Sequence, residues 1–390
     1  MNYFEKHLAN FQSVLSSRNV DAILLANFGA FLPVRHNYNF TYVSDLLGLF
    51  PWCFLVFTED ECGVWVSAED AERAKAQTWI DRVEPMQSRR GPFLHAPEEF
   101  AYFVIEGIRS LTGLDAVKVG VDCGHLSSSV VSALVGLGCQ VEDVSLDLEM
   151  SRKVLDDREL DLLRKAGEIV DSGVEKVMDA VCEGITEREL SILAESEMRM
   201  QGADCVWHPS VISSGPEAEQ WPNSPADREI RSGDLLWMDL TPVYRGYATD
   251  IARSFVYGKA SQEQLDVFKL AEETLAAAVS TLGNGVTVRE VMDAAAGVVK
   301  GSRYEPFCVG TGHMIGLFPS FYPVFLVPIA KRETLPQGTL DLQFAEGMTV
   351  AIEVMFTVPG LGGMHLEDDY IITVDRPERL THAPTVATVE

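Results

Sequence analysis

Gly233 to Phe255 reads GDLLWMDLTPVYRGYATDIARSF, two strand-like runs joined at Arg245-Gly246 that carry Asp239 and Asp250. A two-residue loop at Arg245-Gly246 pairs Tyr244 with Tyr247, so Thr241 faces Asp250 and Asp239 becomes the diagonal neighbour of Asp250 on the same side. That side also holds the small residues Ala248, Ala252 and Ser254, whereas Leu236, Met238, Leu240, Tyr244, Ile251 and Phe255 fall on the other. One face is core and the other is a site. Carboxylates within roughly 7–8 Å of each other raise one another's pKa unless a cation or a shared proton lies between them.

Two more acids sit in a second pair of apolar runs, Glu353 in TVAIEVMF (349–356) and Glu367 in MHLEDDYIIT (364–373). Pro359, Gly360, Gly362 and Gly363 between them permit several loop lengths, so the register of this hairpin stays open. His313 comes from Gly310-Thr-Gly-His-Met-Ile-Gly316, read as a glycine-rich loop. Any one of these acids alone would be an ordinary solvated residue. Four on apolar strands, where a lone charge is costly, point to a shared purpose. Four hard oxygen donors and one imidazole suit two divalent ions such as Mn²⁺, Fe²⁺, Co²⁺ or Zn²⁺, which can hold a hydroxide and polarise a substrate oxygen.

The elements that must position these residues repeat. Gly184-Ile-Thr-Glu-Arg-Glu189 recurs as Gly285-Val-Thr-Val-Arg-Glu290, each a capping box opening a helix, with Thr186 or Thr287 as the cap. Each follows a long helix and precedes a carboxylate-bearing hairpin, so residues 151–390 run helix, helix, hairpin twice. Two-fold pseudo-symmetry would bring the hairpins to one axis. Residues 1–150 alternate helical and strand patterns: a helix over 4–18, strands at 21–27, 54–57, 63–66, 118–122 and 140–144, and helices at 97–111 and 127–137. The fold class is α+β, a small α/β N-terminal domain followed by a pseudo-symmetric catalytic domain, with residues 383–390 expected to be loose.

Lysine and arginine number 31 against 58 aspartates and glutamates, a net charge of −27 that argues against nucleic acid or an anionic membrane as partner. The seven cysteines include no C-x-x-C, the N-terminus MNYFEKHLANFQ has no apolar signal core, and a cytoplasmic protein is expected.

With these motifs in place, the chain resembles the pita-bread metallohydrolases, the aminopeptidase P, prolidase and creatinase branch, over nearly its whole length. The family's ordered ligand set falls on Asp239, Asp250, His313, Glu353 and Glu367, in the contexts MDLTPVYRGYATDIARSF, GTGHMIGL, GMTVAIE and GMHLEDDYIIT. The resemblance implies that Asp250 and Glu367 are shared between two metals and that His313 binds one. It extends to the N-terminal domain, including Asn39-Phe-Thr-Tyr-Val-Ser44. It also implies a homodimer in which Arg35-His36-Asn37-Tyr38 of one chain reaches the other's cleft.

Departures from the family pattern shape the functional reading. Where relatives carry imidazoles that contact the scissile carbonyl and pass protons, this chain has Val309, Ser320 and the Trp221-Pro222 pair; the arginine usual two places before the last glutamate is His365. His365 and His208 are the candidates for acid/base work, and Trp221, Phe318, Ser320 and Tyr322 for the substrate pocket. The expected activity is metal-dependent hydrolysis of a C–N bond in a small-molecule or dipeptide-like substrate, with weak Xaa-Pro cleavage. The alternatives are a metal-dependent lyase of the kind that cleaves dimethylsulfoniopropionate, and a binding module that keeps the fold.

Overall fold

The computed structural model describes all residues except 1–2, 30–35, 48–49, 89–95, 115–116, 220–223 and 318–322. It divides into two units, Met1–Arg152 and Lys153–Glu390. The candidate pocket residues Trp221, Phe318, Ser320 and Tyr322 lie outside the described residues, as does Arg35.

The first unit contains helices α1 (Tyr3–Arg18), α2 (Tyr38–Ser44), α3 (Ala71–Gln77), α4 (Pro97–Thr112), α5 (Ser128–Gly136) and α6 (Ser145–Ser151). Its strands are β1 (Ala22–Phe28), β2 (Trp52–Phe57), β3 (Cys62–Ser67), β4 (Val83–Met86), β5 (Lys118–Val121) and β6 (Gln140–Asp143), in the order β4-β3-β2-β1-β5-β6. β1 is antiparallel to β2 and parallel to β5, the mixed pairing of an α/β sheet. Phe54, Phe100, Val104, Val119 and Leu134 are among the residues of its core. His36 bonds Asn27 and Thr41 within this unit, and His36, Asn37 and Tyr38 are all buried. These residues pack within the unit.

The second unit starts on α7 (Asp157–Ala180), opened by a capping box in which Asp156 and Glu159 exchange hydrogen bonds with each other's backbone. There follow α8 (Glu187–Met200), β7 (Cys205–Val206), β8 (Val211–Ser214), β9 (Leu235–Leu240), β10 (Pro242–Tyr244), β11 (Tyr247–Ala248) and β12 (Ile251–Tyr257). The second half repeats with α9 (Gln262–Thr281), α10 (Val288–Val299), β13 (Cys308–Met314), β14 (Gly316–Leu317), β15 (Val327–Pro328), β16 (Thr349–Val358) and β17 (Gly362–Ile371); β18 (Glu378–Arg379) and β19 (Thr388–Val389) close the chain. Both threonine capping boxes are present, on α8 and α10. Thr186 bridges to Glu229 and Thr287 to Gln343, so the two halves match even in how the helix start is tied to a returning loop.

Each half is a three-strand core. β8 pairs with β9 and β9 with β12 in the first, β13 with β16 and β16 with β17 in the second. The helices cover one side: Leu236, Met238, Leu240, Ile251 and Phe255 pack with Val170, Val174, Leu190 and Met198 of α7 and α8. Val350, Ile352, Val354 and Leu366 pack likewise with Val267, Val291 and Met292 of α9 and α10. The opposite faces carry the acids and His313, set among Trp237, Ala252, Ala351 and Met355. The last residues are not loose: β19 pairs in parallel with β12, and Ala383 is buried. Among the described residues no helix is long and apolar enough to cross a membrane.

Candidate metal centre

The first hairpin has the expected register. Tyr244 pairs with Tyr247 across Arg245-Gly246, and the same alignment continues through Leu240 with Ile251 to Asp239 with Ala252. Arg245 and Gly246 both have positive φ, as a two-residue turn matching strand twist requires. Thr241 consequently faces Asp250 and donates its hydroxyl to Oδ1 at 2.9 Å.

In the second half the residues form a grid on one sheet face. Thr311, Glu353 and Glu367 stand in one row across β13, β16 and β17; His313, Ala351 and Asp369 form the next row; Val309, Met355 and His365 form the row on the other side. His313 therefore belongs to a strand and not to a loop. The glycines allow strands to approach: a Cβ on Gly312 would stand 2.1 Å from the Ala351 carbonyl oxygen. The open register of the second hairpin resolves with Glu353 directly opposite Glu367.

Buried bonds join β12 to β17 and so bring the two faces together. Arg253, 1% exposed, donates to the Glu367 carbonyl at 2.6 Å, to Asp368 Oδ1 at 2.6 Å and to the Ala383 carbonyl at 2.9 Å. Ser254 Oγ receives the His365 amide at 2.7 Å and donates to the His365 carbonyl at 3.0 Å. Asp369 Oδ2 accepts the Asp250 amide at 2.7 Å. Sequence reasoning passed over Asp369, although strand alternation in Glu367-Asp368-Asp369 places it on the same face as Glu367.

His313 donates Nδ1–H to the Met314 carbonyl at 2.9 Å, which leaves Nε2 facing Glu353 Oε1 at 3.5 Å, Glu367 Oε1 at 3.5 Å and Asp250 Oδ2 at 3.7 Å. These separations are long for hydrogen bonds and fit donors around a shared ion, which lie roughly 2.8–3.6 Å apart when each is about 2.0–2.2 Å from it. Asp239, Asp250, Glu353 and Glu367 are all buried. Asp239 Oδ1 and Glu367 Oε1 have no hydrogen-bond partner, although a buried carboxylate oxygen accepts strongly. Burial, reinforced by the charges of Asp239, Asp369 and Glu353, holds the Asp250 carboxyl well above its usual range; burial with Asp250 and Glu353 does the same to Glu367. Burial would raise Glu353 too, but the His365 hydrogen bond and the His365 and His313 charges leave it below the usual range. Divalent cations would satisfy the orphaned oxygens and relieve the repulsion, so these residues fit a metal centre.

The two candidate proton carriers differ in setting. His208 is partly exposed, with Nε2 3.4 Å from Thr241 Oγ1 and 3.7 Å from Asp239 Oδ1. His365 is 3% exposed, with Nε2 2.8 Å from Glu353 Oε2.

Comparison with known proteins finds metallopeptidases among the relatives of this chain. The model of metallopeptidase family M24 matches residues 161–374. An Xaa-Pro dipeptidase of Pyrococcus horikoshii is 27% identical over 368 residues, 94% of either chain. Among solved structures, an Xaa-Pro dipeptidase from Bacillus anthracis has a TM-score of 0.83 at 22% identity, covering 99% of this chain and 100% of that one. The N-terminal domain of FACT complex subunit SPT16 from chickpea has a TM-score of 0.75 at 17% identity, over 98% of this chain and 97% of that one. At these identities the solved structures show a shared fold.

Proposed function

This chain belongs to metallopeptidase family M24 and has the pita-bread fold, and on that premise we propose that it hydrolyses a C–N bond of a small amide or dipeptide-like substrate at two divalent ions held by Asp239, Asp250, His313, Glu353 and Glu367. The observation that carries this reading is the set of buried, mutually repelling carboxylates facing the Nε2 of His313. Residues 151–390 are assigned as the catalytic domain and 1–150 as the creatinase-like N-terminal domain. Bound divalent ions would supply an activated water near neutral pH and a Lewis acid for the substrate oxygen.

The chain's own residues do the rest. Thr241 and Asp369 fix Asp250 from its side chain and its backbone, and Arg253 fixes the backbone of Glu367. His208 carries protons: it is open to solvent, and its Nε2 lies near the Asp239 carboxylate. His365 is shut away from solvent and bonded to Glu353, a position suited to holding ligands. Asp239 and the other acids would be costly to keep buried in a protein that merely binds a partner, which favours an enzyme over a binding module.

The physiological unit is proposed as a cytoplasmic homodimer, which sedimentation tests. Screening metal-loaded protein against dipeptides, cyclic amides and sulfonium acids by mass spectrometry tests the reaction. Hydrolysed C–N products support the proposal. Elimination products from a sulfonium acid replace it with a lyase, and binding of ligands without turnover replaces it with a binding module.

A further inference from the structure

Two imidazoles bracket one pair of carboxylates. His313 Nε2 lies 3.5 Å from Oε1 of both Glu353 and Glu367. His365 Nε2 lies 2.8 Å from Oε2 of Glu353 and 3.8 Å from Oε2 of Glu367. Each glutamate thus presents one oxygen to either ring.

The His365 ring is held in that pose from several sides. Its backbone amide and carbonyl both bond Ser254 Oγ, and the ring packs edge-on against Trp237 with centroids 5.9 Å apart. Trp237 is itself fixed by donating Nε1–H to the Ala218 carbonyl at 2.9 Å. Nδ1 of His365 is buried with no hydrogen-bond partner. One donor atom each from Glu353, His365 and Glu367 lies within 4.8 Å of the others, and all three residues are buried. Nε2 lies 2.8 Å from Glu353 Oε2, at hydrogen-bond distance, and 3.8 Å from Glu367 Oε2, a little beyond the spacing of roughly 2.8–3.6 Å between donors on one ion.

We propose that His365 is a sixth metal donor, so that Glu353 and Glu367 can hold a cation on the His365 side as well as on the His313 side, each position having one nitrogen ligand. The proposal rests on the metal-centre reading above. An imidazole at each position favours borderline ions such as Co²⁺ and Zn²⁺ over Mn²⁺ and Mg²⁺. A ring bound through Nε2 carries its proton on Nδ1, which here is buried without an acceptor.

The test is proton NMR of the full-length protein titrated with Co²⁺ in water. An imidazole bound to cobalt through one nitrogen gives a strongly shifted exchangeable N–H signal from the other, whereas a ring that only hydrogen-bonds a ligand does not. Two such signals, from His313 and His365, are expected in the wild type, and one in His365→Gln. Repeating the count in His208→Gln removes that nearby, solvent-exposed imidazole as a source of confusion. Cobalt affinity should fall at least about tenfold in His365→Gln, with the circular dichroism spectrum retained. Glutamine can still donate a hydrogen bond to Glu353, so an unchanged affinity and a single signal in both proteins overturn the proposal while the metal centre stands. Absence of any bound cobalt overturns both. Should His365→Gln fail to fold, the signal count in the wild type and in His208→Gln decides.

Discussion

Glu353 and Glu367 stand directly opposite each other on adjacent antiparallel strands, and both are buried. Like charges so placed destabilise a sheet. The fold tolerates the pair because other groups hold it in place: Arg253 and Ser254 fix the β17 backbone on either side of Glu367, and His365 bonds Glu353. The stability of this protein should therefore depend on whether cations are present.

Glu367→Gln should separate charge from shape. In chelator-treated protein at pH 8 the variant removes one of two opposed carboxylates, and its melting temperature should exceed that of the wild type by several degrees, at about 2–4 °C per kcal/mol for a domain the size of the Lys153–Glu390 unit. With divalent metal supplied the order should reverse, because only the wild type gains binding energy. A metal-free Glu367→Gln that melts below the metal-free wild type contradicts the repulsion argument.

The pH dependence follows from the same groups. Asp250, Glu367 and Asp369 are raised chiefly by burial and neighbouring charge. Unfolded carboxyls lose their protons near pH 4, whereas these hold theirs to higher pH in the folded state. Between those limits the folded state binds more protons, so metal-free stability falls as pH rises. Glu353, lowered by its His365 bond, works the other way, but below the ordinary carboxyl range and so outside this interval. Metal must displace the bound protons, so metal affinity should climb over the same range. Melting curves at pH 5 and pH 8, with and without chelator, check both statements. Metal-free protein that is more stable at pH 8 would refute the first.

How far the sequence foretold this arrangement differs from residue to residue. The first hairpin was readable because Arg245-Gly246 is a two-residue turn, and a turn of that length sets the register of everything beyond it. The second was not, because Pro359, Gly360 and Leu361 make a loop whose length only the strand pairing decides. His313 looked like a loop residue because its glycines, which let β13 approach β16, are also what a loop would contain. The capping boxes at Thr186 and Thr287 were plain, since each is a local motif. The tie between β12 and β19 joins residues more than a hundred positions apart and has no local signature, so nothing within residues 383–390 marks them as ordered.

Arg253→Met should test how the two hairpins are joined. Its guanidinium bonds Asp368, the Glu367 carbonyl and the Ala383 carbonyl from a site that is 1% exposed. Losing a buried charged partner commonly costs about 3–5 kcal/mol, and the Arg379 and Thr381 bonds to Asp368 place the expected loss toward the low end. Urea denaturation measures it. A loss below about 1 kcal/mol, the worth of an exposed ion pair, would mean that the hairpins are held together by other contacts.

The last prediction concerns the chemistry: the protein should be a poor Xaa-Pro dipeptidase. A metal-activated water can attack a carbonyl, but collapse of the tetrahedral intermediate also requires its oxyanion to be stabilised and a proton to reach the departing nitrogen. Val309 stands in β13 between Pro328 and Met355, where no side chain can pass a proton, and Ser320 and the Trp221-Pro222 pair replace the other imidazoles expected from the family pattern. His365 is buried and bonded to Glu353, a setting less suited to exchanging protons with water. His208 is the proposed carrier, with its Nε2 3.7 Å from Asp239. Losing one such group typically lowers the rate by roughly 10²–10³-fold, and further losses need not multiply. Ala-Pro and Gly-Pro should therefore be turned over slowly with Mn²⁺, Co²⁺ or Zn²⁺ supplied, and His208→Gln should lower whatever activity remains without removing the metal. A kcat/KM of about 10⁴ M⁻¹s⁻¹ or above on either dipeptide would restore an ordinary prolidase.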